Sequence, residues 1–329
     1  MQFTVSAPGK IHLLGEHVVV YGKPALIAAI DKRLYATIKA QSSLRLRSGQ
    51  AKLKSQSEKI KISSDSDSNL INKTIEVFKN AFKLEELPNL EISISSQIPV
   101  GSGLGSSAAL AVALIGVLMK AVLNIWNPAK INELAYEVEK LQHGNPSGGD
   151  NTAVTFGGLL WYRREFEFLK SIWSLPITNY KIPPFFLIDS GRPSETTGEM
   201  VGSVKKIAAD NPEEFEKICN HQERETKSLL LALRSGDKEM MKQAIRKGER
   251  NLEKIRVVGK NAKKIISEID KLDGAAKISG AGGLALGSGF LLCYHDDFSK
   301  LKEIEKSNGV VIQKVKLGEE GVRIEQCQK

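Results

Sequence analysis

Apolar and polar residues alternate along 26–40, 44–48, 59–63 and 90–97, the period of strands that bury one face. These runs predict a mostly antiparallel sheet in the first half of the chain. Elsewhere the period becomes helical. Leu70, Ile75, Phe78 and Phe82 share one face of a helix over 69–82, and Asn127-Pro128 supplies an N-cap and a first-turn proline for a helix running to about 142. On that second helix Leu134, Val138 and Leu141 make the expected buried stripe. The continuous apolar run 108–119 predicts a core helix, too short to cross a bilayer. Residues 152–156 read as a strand, with a hairpin expected over 151–162.

From 173 to 184 the chain turns irregular and rich in proline (SLPITNYKIPP at 174–184), which marks a domain boundary. Beyond it the pattern predicts a strand at 185–189 and helices at 197–209, 213–233, 237–253 and 260–272. Strands at 275–279, 290–294, 310–317 and 322–325 follow. Mixed helices and strands on both sides of the boundary give an α+β fold of two domains, 1–178 and 179–329.

Composition narrows the class of protein without deciding its chemistry. The 329 residues are 41% hydrophobic and 26% charged, near the globular average, and the N-terminus lacks the basic and apolar layout of a signal peptide. Cys219, Cys293 and Cys327 are odd in number and far apart, which gives neither a disulfide framework nor metal-ligand spacing. A cytoplasmic home is expected. The net charge of +9 is spread over both halves with acidic residues interspersed, and aromatics are only 6%. That argues against a nucleic-acid or membrane surface and for attraction of small polyanions such as nucleotides. A homodimer is left open.

The densest candidate chemistry is PVGSGLGSSAA at 99–109. Gly101, Gly103 and Gly105 let backbone N–H groups turn toward an anion, and Ser106 and Ser107 sit where the apolar helix begins, with its positive end. No lysine follows the glycines, so the loop is not that of P-loop nucleotidases, and no dinucleotide fingerprint fits. The alternative is a close-packed turn. A second segment, SAPGKIHLLGEHVVVY at 6–21, reads as an apolar-flanked loop that gathers Lys10, Glu16 and His17.

Together with EKLQHGNPSGGDN at 139–151, these segments resemble the GHMP family of small-molecule kinases, whose members carry an N-terminal PGK or PGR segment and a central PxxxGLGSSA loop. By motif order the resemblance runs from about residue 3 to 295. A Glu, an HGNPSG run and an Asp at this spacing are similar to the branch that phosphorylates mevalonate. GEHVVVYG at 15–22 differs from the acidic GEHTDY of its sugar-phosphorylating cousins.

The resemblance implies a ribosomal-protein-like N-terminal domain, a ferredoxin-like C-terminal domain, and ATP- and Mg²⁺-dependent transfer to the primary hydroxyl of mevalonate, giving 5-phosphomevalonate. It assigns the ATP phosphates to Gly101, Ser102, Gly103, Leu104, Gly105, Ser106 and Ser107, and Mg²⁺ to Ser107 and Glu139. Asp150 and Lys10 become the catalytic pair, and Glu16, His17 and Thr197 approach the acceptor, with Arg192 a further candidate for an anionic group. Each position has a plainer reading: an N-cap for Ser106, Ser107 or Thr197, a solvated helix residue for Glu139, a turn residue for Asp150. The rival functions are a sister kinase acting on phosphomevalonate or homoserine, a related decarboxylase, or a non-catalytic nucleotide- or RNA-binding module. In KISGAGGLALGSG at 277–289 the family's third glycine run breaks after Gly283, which puts a close backbone approach beyond that point in doubt.

Overall fold

The computed structural model describes residues 2–40, 60–63, 67–144 and 146–328. The strand expected at 44–48 lies outside the described residues. The chain opens with β1 (Gln2–Leu14), β2 (Ala25–Ala40), β3 (Ile60–Ser63) and β4 (Leu90–Ser96), and continues after three helices with the hairpin β5 (Leu159–Arg164) and β6 (Lys170–Leu175). β2 is the hub. It pairs antiparallel with β1, with β4 along its second half and with β5 along its first, while β3 joins β4 in parallel. A mostly antiparallel sheet is what the alternating pattern predicted.

Helices α1 (Ser68–Phe82), α2 (Ser106–Leu123) and α3 (Pro128–His143) cover one face of that sheet, α2 lying against β1 and β2. α2 is apolar all round because sheet and helices enclose it, and at 18 residues it is long and apolar enough to span a membrane by length and composition. It extends past both ends of the predicted 108–119 run and is buried instead in the core. Asn127 caps α3 through the Lys130 N–H, with Pro128 in the first turn as expected. Leu141 does not join the buried stripe: it is 57% exposed, and Ile131, Ala135 and Tyr136 complete the packed face.

Two readings of the first half are corrected. Residues 6–14 belong to β1 and are not a loop, so Lys10 stands within a strand. Residues 149–156 form a short helix, α4 (Gly149–Phe156), and the hairpin comes one element later, at β5 and β6. Thr152, Val154 and Thr155 give this segment the composition of a strand, but burial of Asn151 through Thr155 favours the helix, which satisfies its backbone internally. Asp150 therefore sits in a first helical turn.

The second half is built from β7 (Phe185–Asp189), α5 (Thr197–Asp210), α6 (Pro212–Ser235), α7 (Lys238–Lys254) and α8 (Lys260–Lys271). It continues with β8 (Ala275–Ile278), β9 (Phe290–Tyr294), α9 (Phe298–Asn308), β10 (Ile312–Val315) and β11 (Arg323–Gln328). Its sheet runs β10-β7-β9-β8, all antiparallel, which is the ferredoxin-like strand order with four helices in the first crossover. Phe185, Leu187 and Leu292 point into the large core shared with the first sheet, whereas Phe186, Ile188 and Leu291 pack among α5, α8 and α9. Burial on both faces explains why these strands read as unbroken apolar runs. The strand predicted at 322–325 does not complete this sheet. As β11 it crosses back and pairs antiparallel with β1.

Candidate active site

A bulge between Pro8 and Gly9 interrupts the β1–β2 register. Two residues apart on one face of β1, Lys10 and His12 both reach the carboxylate of Asp150, Lys10 Nζ to Oδ2 at 2.9 Å and His12 Nε2 to Oδ1 at 3.1 Å. Asp150 is presented by the first turn of α4, where a carboxylate also meets the positive helix end. Lys10 and His12 are buried. Lys10 is fixed from a second side by the Gly103 carbonyl at 3.2 Å, and its backbone N–H donates to Leu104 O. Burial opposes ionisation of Asp150, but the Lys10 ammonium and the His12 hydrogen bond outweigh it and hold this carboxyl well below the usual range.

The loop in front of α2 lies directly beside this cluster. Gly105 at φ 79° is the N-cap of α2, so neither Ser106 nor Ser107 takes that role, and no side chain caps the exposed N–H groups of the first turn. Leu104 turns its side chain into the core and its carbonyl to Lys10, and Ser102 donates to Pro99 O. Gly103, at φ 78°, passes so close to Ser279 that a Cβ would collide with its carbonyl oxygen. The break in the third glycine run does not end the close approach. Gly289, at φ 74°, lies against Ser102, and the Phe290 N–H donates to Ser102 O at 3.2 Å, while Leu284 and Leu286 stand exposed outside the contact.

These segments enclose a cleft of about 470 Å³ whose walls include Gly101, Gly103, Ser107, Glu139, Asp150 and Arg192. The Arg192 guanidinium stands next to Gly101. Glu139, next to the buried Val138 on α3, is partly exposed and faces the cleft. Its Oε2 is buried with no hydrogen-bond partner, and burial, reinforced by the Asp150 charge, pushes its carboxyl up to about 8. Two carboxyls facing one cleft are thus driven apart in proton affinity, a pattern typical of reacting sites. Glu139 Oε2 and the Ser107 hydroxyl are hard oxygen donors on the same cleft, and an unpartnered buried acid of this kind fits a divalent cation. Among the described residues no three His, Cys, Asp or Glu side chains gather to hold a metal alone, so further ligands would come from phosphate oxygens and water.

A smaller cavity of about 110 Å³ opens on the same cluster, sharing Lys10, Glu139, Asp150 and Thr197 with the cleft. Val19, Val20, Val201 and Val204 line it. Val18 is instead buried in the core beneath the second sheet. His17, at φ 59°, sits within hydrogen-bond distance of the Ala281 carbonyl, 3.1 Å from Nε2. Burial pushes it down to about 4, so the ring is neutral, and because a carbonyl only accepts, Nε2 carries the proton. Glu16 is tied by an ion pair to the buried Lys277. Thr197 lines both spaces, but the N-cap of α5 is Thr196, in a capping box with Glu199.

Similarity to known proteins agrees with this geometry. A profile of the GHMP kinases N terminal domain matches residues 69–158, and one of the galactokinase galactose-binding signature matches residues 1–40. A mevalonate kinase of Archaeoglobus fulgidus is 33% identical over 280 residues, 84% of this chain and 88% of that protein. The chain belongs to the GHMP kinase family. A mevalonate kinase of Thermococcus sibiricus is 36% identical over 231 residues, and the match spans 66% of that protein's length and 67% of this GHMP kinase. The crystal structure of L. major mevalonate kinase in complex with R-mevalonate superposes with a TM-score of 0.77 at 20% identity, covering 96% of each chain. At that identity the likeness is one of fold.

The site of this GHMP kinase also holds residues that sequence reasoning passed over. His12 was missed, although its two-residue spacing from Lys10 on a strand was the available signal. Lys277 carried no local signal, since only the packing of β8 beside β1 brings it to Glu16 on the acceptor side.

Proposed function

We propose that this GHMP kinase transfers the γ-phosphoryl group of ATP to the primary hydroxyl of mevalonate, giving 5-phosphomevalonate. The observation that carries the reading is the Lys10–Asp150–His12 cluster at the junction of a glycine-walled cleft and a valine-lined cavity. The cleft suits the polyphosphate: Gly101, Gly103 and the uncapped N–H groups of Ser106 and Ser107 are donors aimed where charge accumulates. The cavity suits a branched hydroxy acid. The mevalonate kinase relatives support the same acceptor.

In this mechanism the acceptor hydroxyl lies against Asp150, whose ionised carboxylate orients it and receives its proton as the O–P bond forms. Lys10 keeps that carboxylate ionised and offsets negative charge on the transferring group. His12 restrains the second carboxylate oxygen. Glu139 and Ser107 would hold Mg²⁺, which when bound neutralises charge on the phosphate oxygens. Arg192, on the wall of the cleft beside Gly101, would meet an anionic group.

A sugar acceptor is the second reading, because the galactose-binding signature matches residues 1–40. The valines lining the cavity count against it, since a ring of hydroxyls left without partners is strongly disfavoured. An ADP-release assay with mevalonate, phosphomevalonate, homoserine and galactose tests the assignment. Mevalonate should exceed each of the others by at least about 100-fold in kcat/KM. A better rate with phosphomevalonate would keep the kinase chemistry and replace the acceptor.

A further inference from the structure

Behind the acceptor cavity lies a buried ion pair that phosphoryl transfer does not use. Lys277, on β8, has no exposed surface. Its ammonium donates to Glu16 Oε1, to the His12 carbonyl at 3.2 Å and to the Ile278 carbonyl, so all three of its protons are engaged. Packing alone does not call for a charge here, because an apolar side chain of similar volume would avoid the desolvation cost. The other oxygen of its partner is not satisfied. Glu16 Oε2 is buried with no hydrogen-bond partner, and Glu16 lines the acceptor cavity beside His17. Glu249, the second carboxyl near Lys277, accepts the Ile278 N–H at 3.0 Å, and burial pushes it up to about 8. Glu16 is therefore the carboxylate that meets the Lys277 ammonium directly.

We propose that Lys277 is a positioning residue for acceptor recognition: its ion pair orients Glu16 so that Oε2 receives a hydrogen bond from the acceptor's second hydroxyl, the tertiary one of mevalonate. The primary hydroxyl is then left to Asp150 and Lys10. This inference rests on the acceptor reading given above. Its physical basis is the cost of an unmet buried oxygen: an acceptor that lacks the second hydroxyl leaves Glu16 Oε2 without a partner and is rejected.

The test compares mevalonate with 5-hydroxy-3-methylpentanoate, its analogue without the tertiary hydroxyl. The wild-type enzyme should favour mevalonate by at least about 100-fold in kcat/KM. Lys277→Met should raise the KM for mevalonate at least about tenfold, leave kcat and the KM for ATP within about threefold, and cut the preference below about tenfold. Should that variant fail to fold, Glu16→Leu/Lys277→Met removes both buried charges together and should show the same loss of preference. A preference kept at the wild-type level in either variant overturns the proposal. So does a wild type that phosphorylates both acceptors equally, although the proposed function would then stand. Transfer to neither acceptor would remove that function and this inference with it.

Discussion

Asp150 and Glu139 face the same cleft, yet one is held ionised and the other is driven toward its protonated form. The difference lies in their partners. Asp150 has a cation and an imidazole on its two oxygens, whereas Glu139 has a buried oxygen with nothing to meet it. Asp150→Asn keeps the shape but removes the charge, so kcat should fall by at least about 100-fold with the KM for ATP nearly unchanged. Lys10→Met should lose turnover to a similar degree, because Asp150 would then meet burial without its cation. Near wild-type turnover in both variants would take the pair out of the chemistry. Glu139→Gln removes an anionic oxygen from the metal side, and the Mg²⁺ concentration for half activity should rise severalfold at fixed ATP. Superimposable Mg²⁺ titrations would return Glu139 to a structural role.

At the scale of elements, the phosphate loop is shaped by what packs behind it. The turn after β8 presses its backbone against Gly103, and Gly289 meets Ser102 from the same side, so the loop's curvature is imposed by a segment more than 170 residues away in sequence. Gly103→Ala introduces a Cβ where Ser279 O already stands and requires a left-handed φ of an alanine. The strain should cost about 1–3 kcal/mol and open the loop. A lower melting temperature together with a KM for ATP raised at least about tenfold is expected. If ATP binding survived while stability fell, the loop would not be the phosphate cradle. α4 makes a related point: its strand-like composition yields to burial, and only as a helix does it set Asp150 opposite β1.

Across the whole molecule the two sheets are joined at the site. β1 carries Lys10 and His12, α4 carries Asp150, and β8 with the turn after it closes the acceptor side through Lys277 and Ala281. β11 binds the end of the chain to β1, on the opposite edge from β2. Glu249, fully buried on α7, ties that helix to β8 through the Ile278 N–H, and its pH response is a global property. In the unfolded chain it ionises near 4.5, but burial pushes it up to about 8 in the fold. The native state therefore holds a proton that the unfolded state has lost. Its contribution is complete below pH 4.5 and fades as pH rises to 8, by an amount on the order of a few kcal/mol. Glu249→Gln cannot ionise, so its melting temperature should fall less than the wild type's between pH 5 and 8, by about 3 °C or more. Parallel curves would show that Glu249 is already ionised in the native state.

How much of this was written in the linear chain depends on how local each determinant is. The alternation along β2 and β4, the Asn127-Pro128 start of α3 and the helical spacing from α5 to α8 are set by neighbours a few residues apart, and they were legible. The glycine loop was legible too, from small residues set ahead of an apolar helix, whereas Lys10, Glu139 and Asp150 were singled out by the resemblance to the family. The exceptions share one cause. Residues 149–156 became a helix, Leu141 faced solvent, β11 left its own half and His12 joined Asp150 because burial and pairing were decided by partners distant in sequence. Tertiary structure alone brought Lys277 to Glu16, since no periodicity encodes an ion pair between residues 261 positions apart. The sequence determined which groups are present and most elements that carry them. Packing decided which groups meet, and hence which carboxyl is ionised and which is not.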